Sequence, residues 1–300
     1  LKKKEFSLKK PMLKTLKSKE LFGLSLGVLI LVSVFNFSEA SAAEPTRIVK
    51  KNASWQKITV NTSVGRFETQ IITVNLTNPK LKIYTLTGNP TDCKTNCRVA
   101  PLKAYVDRVR GFAGINGTYF CPAEYASCKG QTNSYYWMVY NSLTKTFVNS
   151  YQNKFNSGPL IAFDSENHWH FWRQAKDWPG RPQFEKQYET KLRALFSSGP
   201  ALVVAGKLVL KASELDAKQR TVKGPRCGTA FKGVNVYELC AIRATVMDLA
   251  YIMKALGMAY AINQDGGGSA AMVFDGRYRL GPGRNLPNVL VFSEYDFYRP

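Results

Sequence analysis

Short apolar runs, separated by turns rich in Gly, Pro, Asn and Asp, recur from about residue 67 to the end of the chain. This is the pattern of buried strands. Residues 67–73 and 81–87 are rich in Ile, Thr, Tyr and Phe and flank a turn at 75–79, which predicts an antiparallel hairpin; residues 44–66 read as a lead-in segment. Leu102, Tyr105, Val106 and Val109 fall on one helical face between Pro101 and Gly111. Residues 112–120 form a short apolar strand running into a polar turn, and 121–157 are polar and aromatic. Ser157-Gly158-Pro159 and Ser198-Gly199-Pro200 each open a β-run. Residues 168–172 alternate as a strand, with His168 and His170 on one face, and the charged stretch beyond predicts a surface helix over 184–195. Strands are expected at 225–231 and 234–242. Thr245, with Asp248 three places on, then caps a helix with Val246, Leu249, Ala250, Met253 and Leu256 as its apolar stripe, stopped by Gly257. Asp275-Gly276 predicts a hairpin turn before a last β-run at 288–292. The fold class is α+β: one domain with a mixed or antiparallel sheet and two or three packed helices.

The N-terminus departs from this pattern. Residues 1–20 carry eight lysines, residues 21–37 are an apolar run, and Ala40 and Ala42 stand in A-x-A register. Residues 1–43 are expected to be a signal peptide, or else an N-terminal anchor, preceding a domain over 44–300. A periplasmic or secreted location is expected, with no stable membrane span after cleavage. Taking away eight lysines and three glutamates lowers the net charge only from +21 to +16. Such a balance favours anionic partners. The cations are scattered rather than blocked, so no nucleic-acid motif stands out and no nucleic acid is expected. Six cysteines in an exported chain suggest disulfides. Nearest neighbours, Cys93–Cys97, Cys121–Cys128 and Cys227–Cys240, each flank a short loop and are the expected pairs. A zinc site is the alternative, but the spacings lack paired C-x₂-C. No metal and no cofactor is expected.

The richest candidate chemistry lies between the apolar runs 258–262 and 270–274, at Asn263-Gln264-Asp265-Gly266-Gly267-Gly268-Ser269. A carboxylate, three glycines and a hydroxyl can make a plain Asx turn. They can equally make a concave anion-binding nest that a ligand approaches without meeting a Cβ. Asn116 likewise reads either as a turn residue at a strand end or as an amide aimed at a ligand.

Several segments resemble one family in the right order over roughly residues 65–293. Gly114-Ile115-Asn116-Gly117-Thr118-Tyr119-Phe120 resembles its INGGYF strand-turn, and Pro225-Arg226-Cys227-Gly228-Thr229-Ala230 its PRTAIG strand, with Cys227 for Thr. Asn263 to Ser269 resembles NLDGGGS, with Gln264 for Leu, and Arg284 to Val291 the closing R-x-V-x-N-A-L-V. The family is that of the phosphodiester glycosidases, which includes bacterial exopolysaccharide-associated members. The resemblance implies an α+β fold and removal of a sugar from its C1-linked phosphodiester, on a sugar phosphate or phosphorylated polysaccharide. Asp265 and Arg226 are then the expected catalytic residues, with Asn116, Gly266, Gly267, Gly268, Ser269 and Arg284 binding substrate. Arg226 has a second reading, a buried ion pair with Asp265. Asp164, Glu238 and Asp275 are candidate partner acids. The alternative function is a non-catalytic binder of anionic cell-surface glycan.

Overall fold

The computed structural model describes residues 47–151 and 158–298, and the expected signal segment lies outside the described residues. The described residues make one compact unit. In chain order its elements begin with β1 (Arg47–Lys50), β2 (Ala53–Thr62), β3 (Gly65–Asn75), β4 (Lys82–Thr87), α1 (Leu102–Arg108) and β5 (Gly111–Asn116). There follow β6 (Val139–Asn141), β7 (Thr146–Val148), β8 (Leu160–Asp164), β9 (Trp169–Trp172), α2 (Arg181–Gln187), β10 (Leu192–Ser197), β11 (Ala201–Val204) and β12 (Lys207–Leu208). The chain closes through α3 (Ala217–Thr221), β13 (Gly224–Lys232), β14 (Asn235–Ala244), α4 (Val246–Ala255), β15 (Tyr260–Asn263), β16 (Met272–Phe274), β17 (Arg277–Leu280) and β18 (Asn288–Ser293).

These strands form three antiparallel sheets, in the orders β1-β2-β3-β14-β13-β15-β11-β12, β7-β6-β10-β8-β9 and β17-β16-β5-β18-β4. The inward faces meet in one core: Ile72, Phe231 and Ile262 from the first sheet, Phe163 and Phe196 from the second, Ile115, Phe274 and Phe292 from the third. Each sheet carries a helix on its other face. Leu249, Ile252 and Met253 of α4 pack on Ala230, Leu239 and Ala261. Leu102 and Val106 of α1 pack on Val273 and Val291, and Phe184 of α2 on the cluster holding Leu160 and Leu195. The fold is thus α+β, mostly sheet. Thr245 and Asp248 make the expected capping box at the start of α4, and Asp275 and Gly276 both take positive φ, 54° and 72°, in the β16–β17 turn.

Several expectations are corrected. Residues 67–73 and 81–87 do not pair. Both edges of β3 are already filled, by β2 and β14, so β4 crosses to another sheet and pairs with β18. The lead-in segment holds two strands, β1 and β2, whose half-exposed polar alternation hid them. The helix expected over 184–195 is α2 only as far as Gln187. Glu189, at φ 50°, breaks it, and the buried run that follows is β10 between β6 and β8. Two short strands, β6 and β7, lie within 121–157, and the four helices of the described residues include α3, which was not anticipated.

The six cysteines are joined as nearest neighbours, Cys93–Cys97, Cys121–Cys128 and Cys227–Cys240. The last bridge links residues directly opposite on β13 and β14. No helix of the described residues is long and apolar enough to cross a membrane.

Glu238 on β14 is sealed from solvent, and burial raises its carboxyl well above the ordinary range, with the Thr229 hydroxyl as the opposing influence. The Thr229 hydroxyl has one proton and faces two acceptors, Glu238 Oε2 at 2.7 Å and Gln264 Oε1 at 3.2 Å. A protonated Glu238 resolves the conflict by donating to Thr229, which then donates to Gln264. Stability from this group is present below its unfolded pKa and is lost as pH rises through the folded one. Glu238→Gln, whose amide can donate to Thr229 at any pH, should therefore raise the melting temperature at neutral pH. The gain should be roughly 1–2 kcal/mol and disappear near pH 4; pH-dependent thermal denaturation reads it.

Candidate active site

The site forms where two strands of one sheet run out against a strand of another. Gly228 pairs with Asn263 on β13 and β15. Extending that register two places sets Arg226 opposite Asp265, and Gln264 N–H donates to Cys227 O at 2.9 Å between them. Asn116, at the end of β5, stitches this exit in place. Its Nδ2 donates to Asp265 O at 2.7 Å, and its Oδ1 accepts from Ala271 N–H at 3.1 Å. Its carbonyl accepts from Gln264 Nε2 at 3.1 Å, and Asp265 N–H donates to Gly117 O at 3.2 Å. Asn116 is fully buried, and both ends of its amide are occupied by backbone. It holds the loop rather than facing a ligand.

The three glycines are there for different reasons. A Cβ on Gly266 would lie 2.7 Å from Pro225 O and 3.3 Å from Arg226 Cδ; on Gly268 it would lie 2.5 Å from Arg284 Nη2. Two glycines therefore let two arginines close on the loop, while Gly267, at φ 59°, takes the left-handed turn between them. Gly266 N–H donates to Asp265 Oδ1 at 2.8 Å. The N–H groups of Gly267 and Gly268 have no acceptor among the described residues, and this part of the loop is at least partly open to solvent. Ser269 is buried beneath it.

Burial pushes the Asp265 carboxyl up to about 6, against the pull of the Ser269 hydroxyl, the Gly266 N–H and the charges of Arg284 and Arg226. The Ser269 oxygen stands close enough to favour the charged form without the geometry of a full hydrogen bond. Arg226 forms no ion pair with Asp265. Its Nη2 donates to Val222 O at 2.7 Å and Lys218 O at 3.5 Å, and its Nε to Ala244 O at 3.3 Å, so its positive charge is held by carbonyls and left unneutralised. Arg284 lies 5.2 Å from the Tyr125 ring centre and 3.7 Å from Glu124 Oε1. Lys218 Nζ donates to Tyr125 Oη at 3.0 Å, and Lys218 with Arg284 lowers the phenol below its ordinary range. The Cys121–Cys128 bridge closes the loop carrying Glu124 and Tyr125. A buried carboxylate thus sits near two arginines and two unpaired N–H groups, with Lys218 linked to Arg284 through Tyr125. Such a site can hold an oxyanion while offering a base or nucleophile beside it.

The other candidate acids are engaged elsewhere. Asp164 accepts from Glu166 and His168 N–H groups and faces His168 Nδ1 at 3.3 Å and His170 Nε2 at 3.1 Å. Asp275 is an exposed turn residue paired with Lys50 at 2.9 Å, and Glu238 is sealed behind Thr229. No group of three potential metal ligands gathers among the described residues. Lys218, Tyr125 and Glu124 were not foreseen. The capping-box pattern from Asp216 to Gln219, which starts α3, was a legible signal for the helix that carries Lys218 and grips Arg226. Nothing local in the sequence marked Tyr125.

Residues 112–293 match the sequence pattern of a family described as phosphodiester glycosidase. No curated protein matches the chain. Two solved structures are similar in fold. One is a hypothetical protein from Synechocystis, with TM-score 0.64 and 15% identity over 84% of this chain. This chain spans 64% of the length of that one. The other is the zebrafish N-acetylglucosamine-1-phosphodiester alpha-N-acetylglucosaminidase catalytic domain, auto-inhibited by pro-peptide, with TM-score 0.59 and 14% identity over 83% of this chain and 84% of that one.

The raised carboxyl has a stability consequence. Between pH 3.8, its ordinary value, and about 6, the folded chain keeps a proton that the unfolded chain releases. The stability contributed by that proton is full below this window and lost as pH rises through it. Asp265→Asn should therefore stabilise the protein at pH 7 by roughly 1–3 kcal/mol, with the difference vanishing below pH 4 in thermal melts.

Proposed function

The chain belongs to the phosphodiester glycosidase family, and from that membership and the geometry around Asp265 we propose that it hydrolyses a sugar-1-phosphodiester, releasing the sugar from a phosphorylated glycan. The observation that carries the reading is one buried carboxylate, with a pKa of about 6, whose loop two arginines approach across missing Cβ atoms.

Ordinary glycosidases use two carboxylic groups, one of them to protonate a poor leaving alkoxide. Here the bond between C1 and the phosphate oxygen breaks, and the electron pair leaves on a phosphate monoester whose second pKa is about 6. It departs without a donated proton. One carboxylate is then enough: Asp265, ionised at neutral pH, meets C1 as nucleophile or deprotonates the water that does. Water supplies the hydroxyl that ends on C1. Arg226, Arg284 and Lys218, with the Gly267 and Gly268 N–H groups, hold the phosphate, whose negative charge grows as the bond breaks. Ser269, below the carboxylate, favours its charged form. Three disulfides fit work outside the reducing cytosol, in the periplasm or after secretion.

The test is turnover of an alkyl sugar-1-phosphodiester. Wild-type kcat/KM should fall on the acid side with an apparent pKa near 6. Asp265→Asn should lose about 10³-fold or more, and Arg226→Ala or Arg284→Ala about 10²-fold. Unchanged turnover in Asp265→Asn removes that residue from the mechanism. Tight binding of the phosphodiester by wild type with no product leaves the glycan-binding alternative.

A further inference from the structure

Beside the Asp265 loop lies a cavity of about 580 Å³, lined by Tyr119, Trp137, Gln174, Glu214 and the Gly158-Pro159 and Gly199-Pro200 turns. Asp265, Arg226 and Arg284 are not among its lining residues, yet it is tied to their loop. Asn263 N–H donates to Pro200 O at 2.9 Å, and its Nδ2 to Gly199 O at 3.1 Å. The floor of the cavity is thus bonded to the strand that presents Asp265 two residues later. The two echoing Gly-Pro turns meet here, with Ser198 N–H and Ser197 Oγ both donating to Pro159 O. Trp137 lies against Gly199, where a Cβ would come 3.2 Å from the indole Cη2.

We propose that this cavity is the subsite for the glycosyl ring of the substrate, with Trp137 as its stacking face and the Tyr119 hydroxyl as its fixed donor, an inference that rests on the hydrolase reading. The division of charge supports it. Arg226 and Arg284 close on the glycine loop, where the phosphate belongs, with Lys218 joined to Arg284 through Tyr125, and C1 is the ring atom bonded to that phosphate. The cavity lined by Tyr119 offers instead an aromatic face, the carboxylates of Glu214 and Asp216, the amides of Gln174 and Gln219 and the Arg173 guanidinium. These suit the C–H face and the hydroxyls of a neutral sugar. The side chains of Arg173, Gln174 and Glu214 have no partner among the described residues, so they are available to such a ligand.

Tyr119 gives the inference its direction. Its hydroxyl accepts from Asn263 Nδ2 at 2.6 Å and from Gln219 Nε2 at 3.1 Å. Both amides are fixed the right way round: Gln219 Oε1 accepts from Asp216 N–H at 3.1 Å, and Asn263 Nδ2 also serves Gly199 O. With two donors on its oxygen, the phenol can only donate its own proton onward. Burial, with the nearby Asp265 charge, pushes its pKa up to about 12 and keeps that proton in place. No acceptor for it exists among the described residues. A sugar oxygen in the cavity would be one.

The experiment measures binding without turnover. Methyl α-glycosides of glucose, N-acetylglucosamine and mannose, and inorganic phosphate separately, are titrated by calorimetry. Wild type should bind at least one glycoside saturably. Trp137→Ala and the isosteric Tyr119→Phe should each weaken that sugar about tenfold or more while phosphate affinity stays within about twofold, and Trp137→Phe should restore most of it. Arg284→Ala should do the converse. Absence of saturable glycoside binding by wild type overturns the subsite, as does unchanged sugar affinity in folded Tyr119→Phe and Trp137→Ala. Wild type that binds sugar but hydrolyses nothing keeps the subsite and removes the hydrolase reading. Wild type that hydrolyses, with both variants unchanged in sugar affinity, removes the subsite alone.

Discussion

Holding the Asp265 carboxylate out of water is the constraint on which the rest of the site depends. Left alone, burial would neutralise it. The Ser269 hydroxyl, the Gly266 N–H and the charges of two arginines hold its pKa to about 6, so that it is still charged at neutral pH. The arginines come this close to the loop only because Gly266 and Gly268 have no Cβ atoms. The glycines that look from the sequence like a phosphate nest therefore also let guanidinium groups approach. Arg226 can bear this burial because the carbonyls of Val222, Lys218 and Ala244 satisfy it without cancelling its charge. An ion pair with Asp265 would have neutralised both groups and left less charge for a ligand.

Behind the loop, a polar chain runs into the core. Asn116 supports Asp265 O, Gln264 supports Asn116 O, and Thr229 links Gln264 to Glu238. Each link of this chain is a buried hydrogen bond, although Glu238 Oε1 at its inner end has no partner among the described residues. These bonds fix the height and tilt of the strand end that carries the carboxylate. The Cys227–Cys240 bridge, beside Arg226, ties the same region across β13 and β14. The two departures from the family pattern, Cys227 and Gln264, thus fall on support for the loop, buried beneath the face a substrate would meet.

The site is assembled from residues far apart in the chain. Tyr125, Lys218, Arg226 and Arg284 come from four segments distant in sequence from the loop that carries Asp265. Asp265 and the glycines could be singled out because the need for special backbone and a lone acid is written locally. The roles of Asn116 and Arg226 could not. An asparagine at a strand end and an arginine at a strand start look alike whether they face a ligand or a carbonyl, and only the surrounding backbone decides.

The chain's own pattern was sufficient for the α+β class, the capped helix α4, the Asp275-Gly276 turn and the loop around Asp265, because periodicity, caps and turn residues act over a few neighbours. Strand partners were not legible in it. β3 and β4 read as a hairpin and went to different sheets, and residues 184–195 read as one helix and became a helix and a strand. Pairing depends on which edges other strands have already filled, and burial depends on what packs from outside. Those are properties of the assembled sheets, and so is the cavity beside Tyr119, where two turns some forty residues apart, alike in sequence, come to face one another.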